Sequence, residues 1–238
     1  FSETNLGTSW EFWEKISAGR PEFGNPKVFD GNIEQTFWES FTVTCNKDNK
    51  FLDMMEKFSG NTAGTGALVT LKDSSWLMSV VIAYQPHFLN QPEDVTVFWG
   101  YGLFPDRKGD YIKKKMTECT GKEILTDLLC HLKFHDYVSE MKKTSNCIPC
   151  ILPFITSQFM PRKISDRPRV RPEGYKNLAF IGQFVEIPEG VVFTVEYSVR
   201  TAMTAVYDFL SIDKEIPAYF KGDKDIKVLF DSFVTMHK

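Results

Sequence analysis

Val80 to Gly102 reads VVIAYQPHFLNQPEDVTVFWGYG, two apolar runs separated by a stretch that holds two Gln-Pro pairs and one histidine, His87. Proline has no N–H to give a sheet ladder, and it pushes the residue before it out of the helical region. The middle therefore reads as a bend or loop. The flanking runs, SWLMSVVIAY and DVTVFWGYGL, read as buried strands on length and β-branched content. A histidine thus sits among Phe88, Phe98, Trp99 and Tyr101, where an apolar surface carries one polar ring.

Working towards the N-terminus, GNTAGTGALVTL holds Gly64 and Gly66. No third glycine follows at dinucleotide-fingerprint spacing, and ALVTL is strand-like where a pyrophosphate cradle needs a helix N-terminus, so a turn is expected. NKFLDMMEKFSG predicts a short amphipathic helix closed by Gly60, and TFWESFTVTC a strand of aromatic and β-branched residues. TSWEFWEKISAG predicts a helix capped by Thr8 or Ser9 and stopped at Gly19.

Towards the C-terminus, TECTGKEILTDLLCHLKFH is the clearest helix, with Leu125, Leu128, Leu129 and Leu132 on one face and a capping box from Thr120 and Glu123. CIPCILPFITSQFMPR is apolar and broken by proline, and reads as a bent, cavity-lining segment. A basic connector, PRKISDRPRVRPEGYK, precedes NLAFIGQF, read as a short buried strand. VFTVEYSVRTAMTAVYDFL then enters a helix whose apolar stripe is Ala202, Val206, Phe209 and Leu210. DKDIKVLFDSFVTMHK closes the chain as an amphipathic helix with Ile226, Leu229, Phe230 and Phe233 on one side.

Of 238 residues, 42% are hydrophobic and 25% charged, an ordinary soluble globular balance. Aromatic content of 14%, with 21 Phe, fits either a Phe-rich core or a large apolar cavity. A net charge of −3 implies no general affinity for nucleic acid. The five cysteines are odd in number and scattered, which argues for a reducing compartment rather than a disulfide framework. No long apolar run or signal peptide is present, and an opening Phe1 reads as the middle of a longer protein.

Cys147 and Cys150 form C-x-x-C without a second ligand pair, so they read as packed thiols rather than zinc ligands or a redox dithiol. His131 and His135 are spaced i, i+4 at a helix end, with no carboxylate or third histidine placed by the sequence to complete a metal site. No metal centre is expected; a positive group there meets the helix C-terminus. Arg162, Lys163, Arg167, Arg169 and Arg171 read equally as a solvated loop or as contacts for phosphate or carboxylate. The strand–loop–helix unit ending in Thr194, Glu196 and Ser198 aims helix N-terminal amides at an electron-rich ligand.

Taken in order, SSWLMSVVIAYQPHFLNQPEDVTVFWGYGLFPD, CIPCILPFITSQFMPR and NLAFIGQFVEIPEGVVFTVEYSVRT resemble the C-terminal part of the oleate hydratases, FAD-dependent fatty-acid hydratases formerly called myosin-cross-reactive antigens. The likeness runs through nearly all 238 residues. It implies an α/β fold: the C-terminal part of a two-domain flavoprotein of Rossmann type, with a mixed-sheet substrate domain and C-terminal helices. Residues 1–160 would be part of the fatty-acid-binding domain, 161–210 the returning FAD-contact segment and 211–238 the C-terminal helical segment.

The activity so implied is addition of water across a cis double bond of a free unsaturated fatty acid such as oleate or linoleate, with FAD required and no net redox change. In the family the acid–base tyrosine and glutamate and the glycine-rich FAD fingerprint lie in the N-terminal half, so no catalytic residue is expected in this chain. His87, with Gln85 and Tyr84 beside it, would bind the substrate carboxylate at the end of an apolar tunnel. Val81 and Ala83 stand where some members have Thr and Asn, and those two contacts do not carry over. Gly182, Gln183, Phe193, Thr194, Glu196 and Ser198 would line the flavin edge. The resemblance further implies a homodimer, a cytoplasmic protein, and contact of the last helix with a membrane surface. Two other classes remain open: a non-catalytic lipid-binding or interaction module, and a flavin-fold oxidoreductase or isomerase.

Overall fold

The computed structural model describes residues 8–46, 50–65, 68–188, 190 and 194–237. The main elements are α1 (Thr8–Ser17), α2 (Lys27–Asp30), β1 (Trp38–Cys45), α3 (Phe51–Ser59), β2 (Leu68–Thr70), β3 (Met78–Val81), β4 (Thr96–Gly102), α4 (Gly121–His131), α5 (Val138–Thr144), β5 (Ser145–Leu152), α6 (Val195–Phe209) and α7 (Ile226–Met236). They form two compact units, one spanning Asn32–Ser157 and the other Ser2–Gly31 with Gln158–Lys238.

The first unit is built on a sheet of order β2-β3-β4-β1-β5 in which every pairing is antiparallel. This corrects the expected mixed sheet. Helices between strands suggested parallel crossovers. Yet the strands separated by α4 and α5, β4 and β5, are not neighbours; each pairs with β1 from opposite sides. The start of the expected bent segment, CIPCIL, is instead part of a paired strand, β5, at the sheet margin. Pro149 hid it, because proline is tolerated in a strand only where its missing N–H is not needed, as at an edge.

Alternation along β1, β3 and β4 turns Phe41, Val43, Cys45, Met78, Val80 and Phe98 onto one face. There they bury against Phe51 and Met55 of α3 and the leucine face of α4, where Leu125, Leu128, Leu129 and Leu132 are wholly inaccessible as the periodicity predicts. The Phe51 and Phe98 rings stack at 4.2 Å. The capping box is formed: the Thr120 hydroxyl accepts from the Glu123 amide, and the Glu123 carboxylate accepts from the Thr120 amide at 2.8 Å. Gly121 admits β5, since a Cβ there would lie 1.9 Å from the Cys147 carbonyl oxygen. Across the opposite face, Leu68, Val81, Trp99, Thr42 and Ile148 fall in one cross-strand row. Leu68, Thr42 and Ile148 of that row are exposed.

The second unit has a smaller core of Phe23, Val170, Phe180, Val185 and Ala205. NLAFIGQF is not a strand. Phe180 and Val185 are buried for packing, while Gly182 at φ +111° breaks the extended run and the Phe180 amide donates to the Val170 carbonyl. Along α6, Tyr197, Thr201 and Ala205 face inward, and Val206, Phe209 and Leu210 are exposed. The inward face is amphiphilic because the Tyr197 hydroxyl donates to the Val185 carbonyl at 2.5 Å and accepts from the Ile187 amide. No residue of α7 is buried, and no described helix is long and apolar enough to cross a membrane.

Candidate functional site

Residues 82–95 form the bend between β3 and β4, entered through a cis Gln85–Pro86 peptide. Gln85 holds it closed. Its amide nitrogen donates to the Ala83 and Val97 carbonyls, and its oxygen accepts from the Val97 amide and from the Gln91 side chain. Gln91 in turn accepts from the His87 amide at 2.9 Å and donates to the Val95 carbonyl. Both glutamines are thus spent on the loop. They present the His87 ring at the surface, 4.8 Å from the Phe88 ring and 5.2 Å from Trp99. The imidazole is exposed, beside the apolar rings of Phe88 and Trp99. Tyr84 is 72% exposed on the same loop and packs on Gly64, whose φ is +81° and where an added Cβ would lie 2.8 Å from the Tyr84 Cβ and 3.0 Å from its amide nitrogen, leaving no room for a side chain.

In the second unit, the residues expected at a flavin edge lie in the turn at 182–183 and the first turn of α6; Phe193 lies outside the described residues. The Gly182 amide donates to the Thr201 hydroxyl at 2.8 Å, and Thr194 caps α6 by accepting from the Tyr197 amide. Glu196 pairs with Arg200 at 2.7 Å, and the Ser198 carbonyl accepts from the Thr201 hydroxyl. Gln183 lines a cavity of about 250 Å³ with Trp13, Phe29, Phe184, Gln158 and Arg167. Arg167 is 3% exposed, donates to the Gln183 and Gln158 carbonyls and keeps a buried Nε without a partner. Arg162 pairs with Glu186, and Arg171 with Asp208. Arg162 and Arg171 thus meet carboxylates, but those of the unit itself, and Arg167 is buried on backbone carbonyls; all three tie the unit to itself.

Cys147 and Cys150 are three apart on a strand, which places them on opposite faces. Burial pushes the Cys147 thiol up to about 12, whereas Cys150 is exposed. They cannot act as one dithiol. Sequence reasoning missed a different cluster: Asp110, from a loop, meets Asp127 and His131 of α4, with His131 Nε2 3.0 Å from Asp110 and 3.3 Å from Asp127. Asp127 and His131 share a helical face at i, i+4, a visible signal; Asp110 arrives only through tertiary folding.

A family model described as the MCRA family matches residues 1–207. The chain is 41% identical over 239 residues to an oleate hydratase of Streptococcus pyogenes serotype M49 (strain NZ131), a match that covers 96% of this chain and 40% of that protein. It is 32% identical over 246 residues to a linoleate hydratase of Lactiplantibacillus plantarum, covering 94% of this chain and 42% of that protein. The chain therefore spans about two fifths of the length of these curated relatives.

Proposed function

The chain belongs to the MCRA family, and from that premise we propose that it is the C-terminal portion of a fatty-acid hydratase. The reaction adds a proton to one carbon of a cis double bond and the hydroxyl of water to the other, in a substrate such as oleate or linoleate. The observation that carries this reading is the 41% identity to an oleate hydratase along 96% of the chain. In this assignment residues 1–160 belong to the substrate domain, 161–210 return to the flavin and 211–238 form the helical cover.

The chain's own contribution is grip and placement. The His87 ring donates to the fatty-acid carboxylate, Tyr84 stands beside it, and Gln85 acts through the loop it holds. Phe88 and Trp99 flank the imidazole with apolar surface for the start of the acyl chain. A fixed head group sets which double bond reaches the acid and base, both of which come from the preceding half of the protein. Its apolar surroundings keep bulk water from the alkene, so that one positioned water reacts.

The flavin is required without net redox change. The residues present fit it: Gln183 lines an aromatic cavity, Gly182 at φ +111° turns the chain beside the Phe184 ring, and the first turn of α6 begins at an exposed Val195. Gly182, Gln183, Phe193, Thr194, Glu196 and Ser198 would hold its ring edge, with α6 directing its N-terminus there. We further assign the full protein to the cytoplasm as a homodimer, with α7 resting on a membrane surface.

The test is mass spectrometry of products formed by the full-length protein from oleate and linoleate in ¹⁸O-labelled water. Incorporation of one labelled hydroxyl without an electron acceptor is the expected result. Turnover only with a reductant or acceptor would instead identify an oxidoreductase on this scaffold, and binding without turnover a lipid-binding module. In the same protein, His87→Ala should weaken fatty-acid binding by about 10- to 100-fold, the worth of a charge-assisted hydrogen bond. Unchanged affinity removes His87 from the site.

A further inference from the structure

We propose that Asp110, Asp127 and His131 form a binding site for a divalent cation of the zinc or manganese type, pinning the loop after β4 to α4. The ligand atoms of the three residues all lie within 4.8 Å of one another. Asp127 is wholly inaccessible, and its Oδ2 accepts from the Tyr111 and Ile112 amides at 2.9 and 2.8 Å. Its other oxygen, Oδ1, is buried without a hydrogen-bond partner and faces His131 Nε2 at 3.3 Å. The same nitrogen lies 3.0 Å from Asp110 Oδ2.

A single N–H points at one acceptor. If it serves Asp110, Asp127 Oδ1 remains a buried carboxylate oxygen without a hydrogen bond, an arrangement that is costly in an apolar interior. A cation between the three atoms satisfies all of them, with the histidine ring neutral and its Nε2 lone pair turned inward. One imidazole and two carboxylates without sulfur suit zinc, manganese or iron(II) rather than a soft copper(I) ion.

The surroundings are those of a held ligand set. Ser75 donates its amide and its hydroxyl to the two oxygens of Asp110, and the two amides on Asp127 fix its plane. Gly109 lets the carboxylate approach, since a Cβ there would lie 2.8 Å from Asp127 Oδ2. The Asp110 side chain is 36% exposed, so water can reach the remaining coordination positions, while His131 is only 10% exposed.

Equilibrium dialysis of the EDTA-treated full chain against ZnCl₂, with metal content measured, tests the site. The wild-type chain should retain one zinc, His131→Gln should bind at least about tenfold more weakly, as loss of a ligand predicts, and Cys150→Ser should bind like wild type. Zinc at saturation should raise the wild-type unfolding midpoint by roughly 5 °C. Should His131→Gln fail to fold, Asp110→Asn, at the partly exposed position, takes its place with the same expected loss. No zinc retained by the wild type, equal binding by the ligand variants, or binding abolished by Cys150→Ser overturns the site and leaves an ion-paired imidazolium between two carboxylates.

Discussion

Glu39 stands in β1 on the core side of the sheet, 3% exposed, with Oε2 buried and unpartnered. Desolvation raises its carboxyl from 4.5 to about 7. Between those values the folded chain holds a proton that the unfolded chain has released, so this group's contribution to stability falls as pH rises through the window and is lost above about 7. Glu39→Gln removes the titration. Urea unfolding of both proteins should show the variant gaining on the wild type by roughly 2.5 kcal/mol between pH 5 and pH 8, most of the worth of a shift of this size; a constant gap would place the carboxylate in contact with water. Gln85 illustrates another residue-scale rule, that a polar side chain can act on the backbone alone. Gln85→Ala should weaken fatty-acid binding about tenfold while raising hydrogen exchange at the Val97 amide, which it now accepts from.

Elements were legible where local chemistry and packing agree. Thr120 and Glu123 announce the start of α4, and Thr120→Ala should cost about 1 kcal/mol in thermal or urea unfolding. Gly100 in β4 faces Phe41 of β1, and an added Cβ would lie 2.4 Å from its ring and 2.6 Å from the Ser79 carbonyl oxygen. The ring can turn but the carbonyl cannot, so Gly100→Ala should destabilise by about 2 kcal/mol or more, read in the same way. What misled the sequence reading was apolar content taken for a structural element. NLAFIGQF is buried but unladdered, since Gly182 redirects it. The inward face of α6 is carried by Tyr197 and Thr201, whose hydroxyls find internal partners, and not by its larger aliphatic residues. Strand direction was hidden for a further reason: which strands are neighbours is decided by long-range pairing that periodicity does not record.

For the molecule as a whole, the loop bearing His87 was legible because proline, glutamine and aromatic residues cluster within one short stretch. The cluster of Asp110 with Asp127 and His131 was not, because its members meet only after the loop folds back on α4. The exposed residues Ile226, Leu229, Phe230, Phe233 and Met236 make α7 an unburied apolar helix. Ending the chain at Asp225 should therefore leave the unfolding midpoint within about 1 °C, because little packing is lost. Co-sedimentation with anionic vesicles should fall to background if α7 supplies the membrane contact. Retained sedimentation would show that α7 is not what meets the membrane.

The sheet margins carry a final consequence. A strand lacking a neighbour can act as a template for aggregation, yet β2 offers only three residues and β5 has Pro149 where a recruiting backbone would seek a donor. Neither side invites a foreign segment to zip alongside. Purification losses in this protein should accordingly follow its greasy patches and respond to detergent or fatty acid, and the precipitate should lack the dye-binding signature of amyloid.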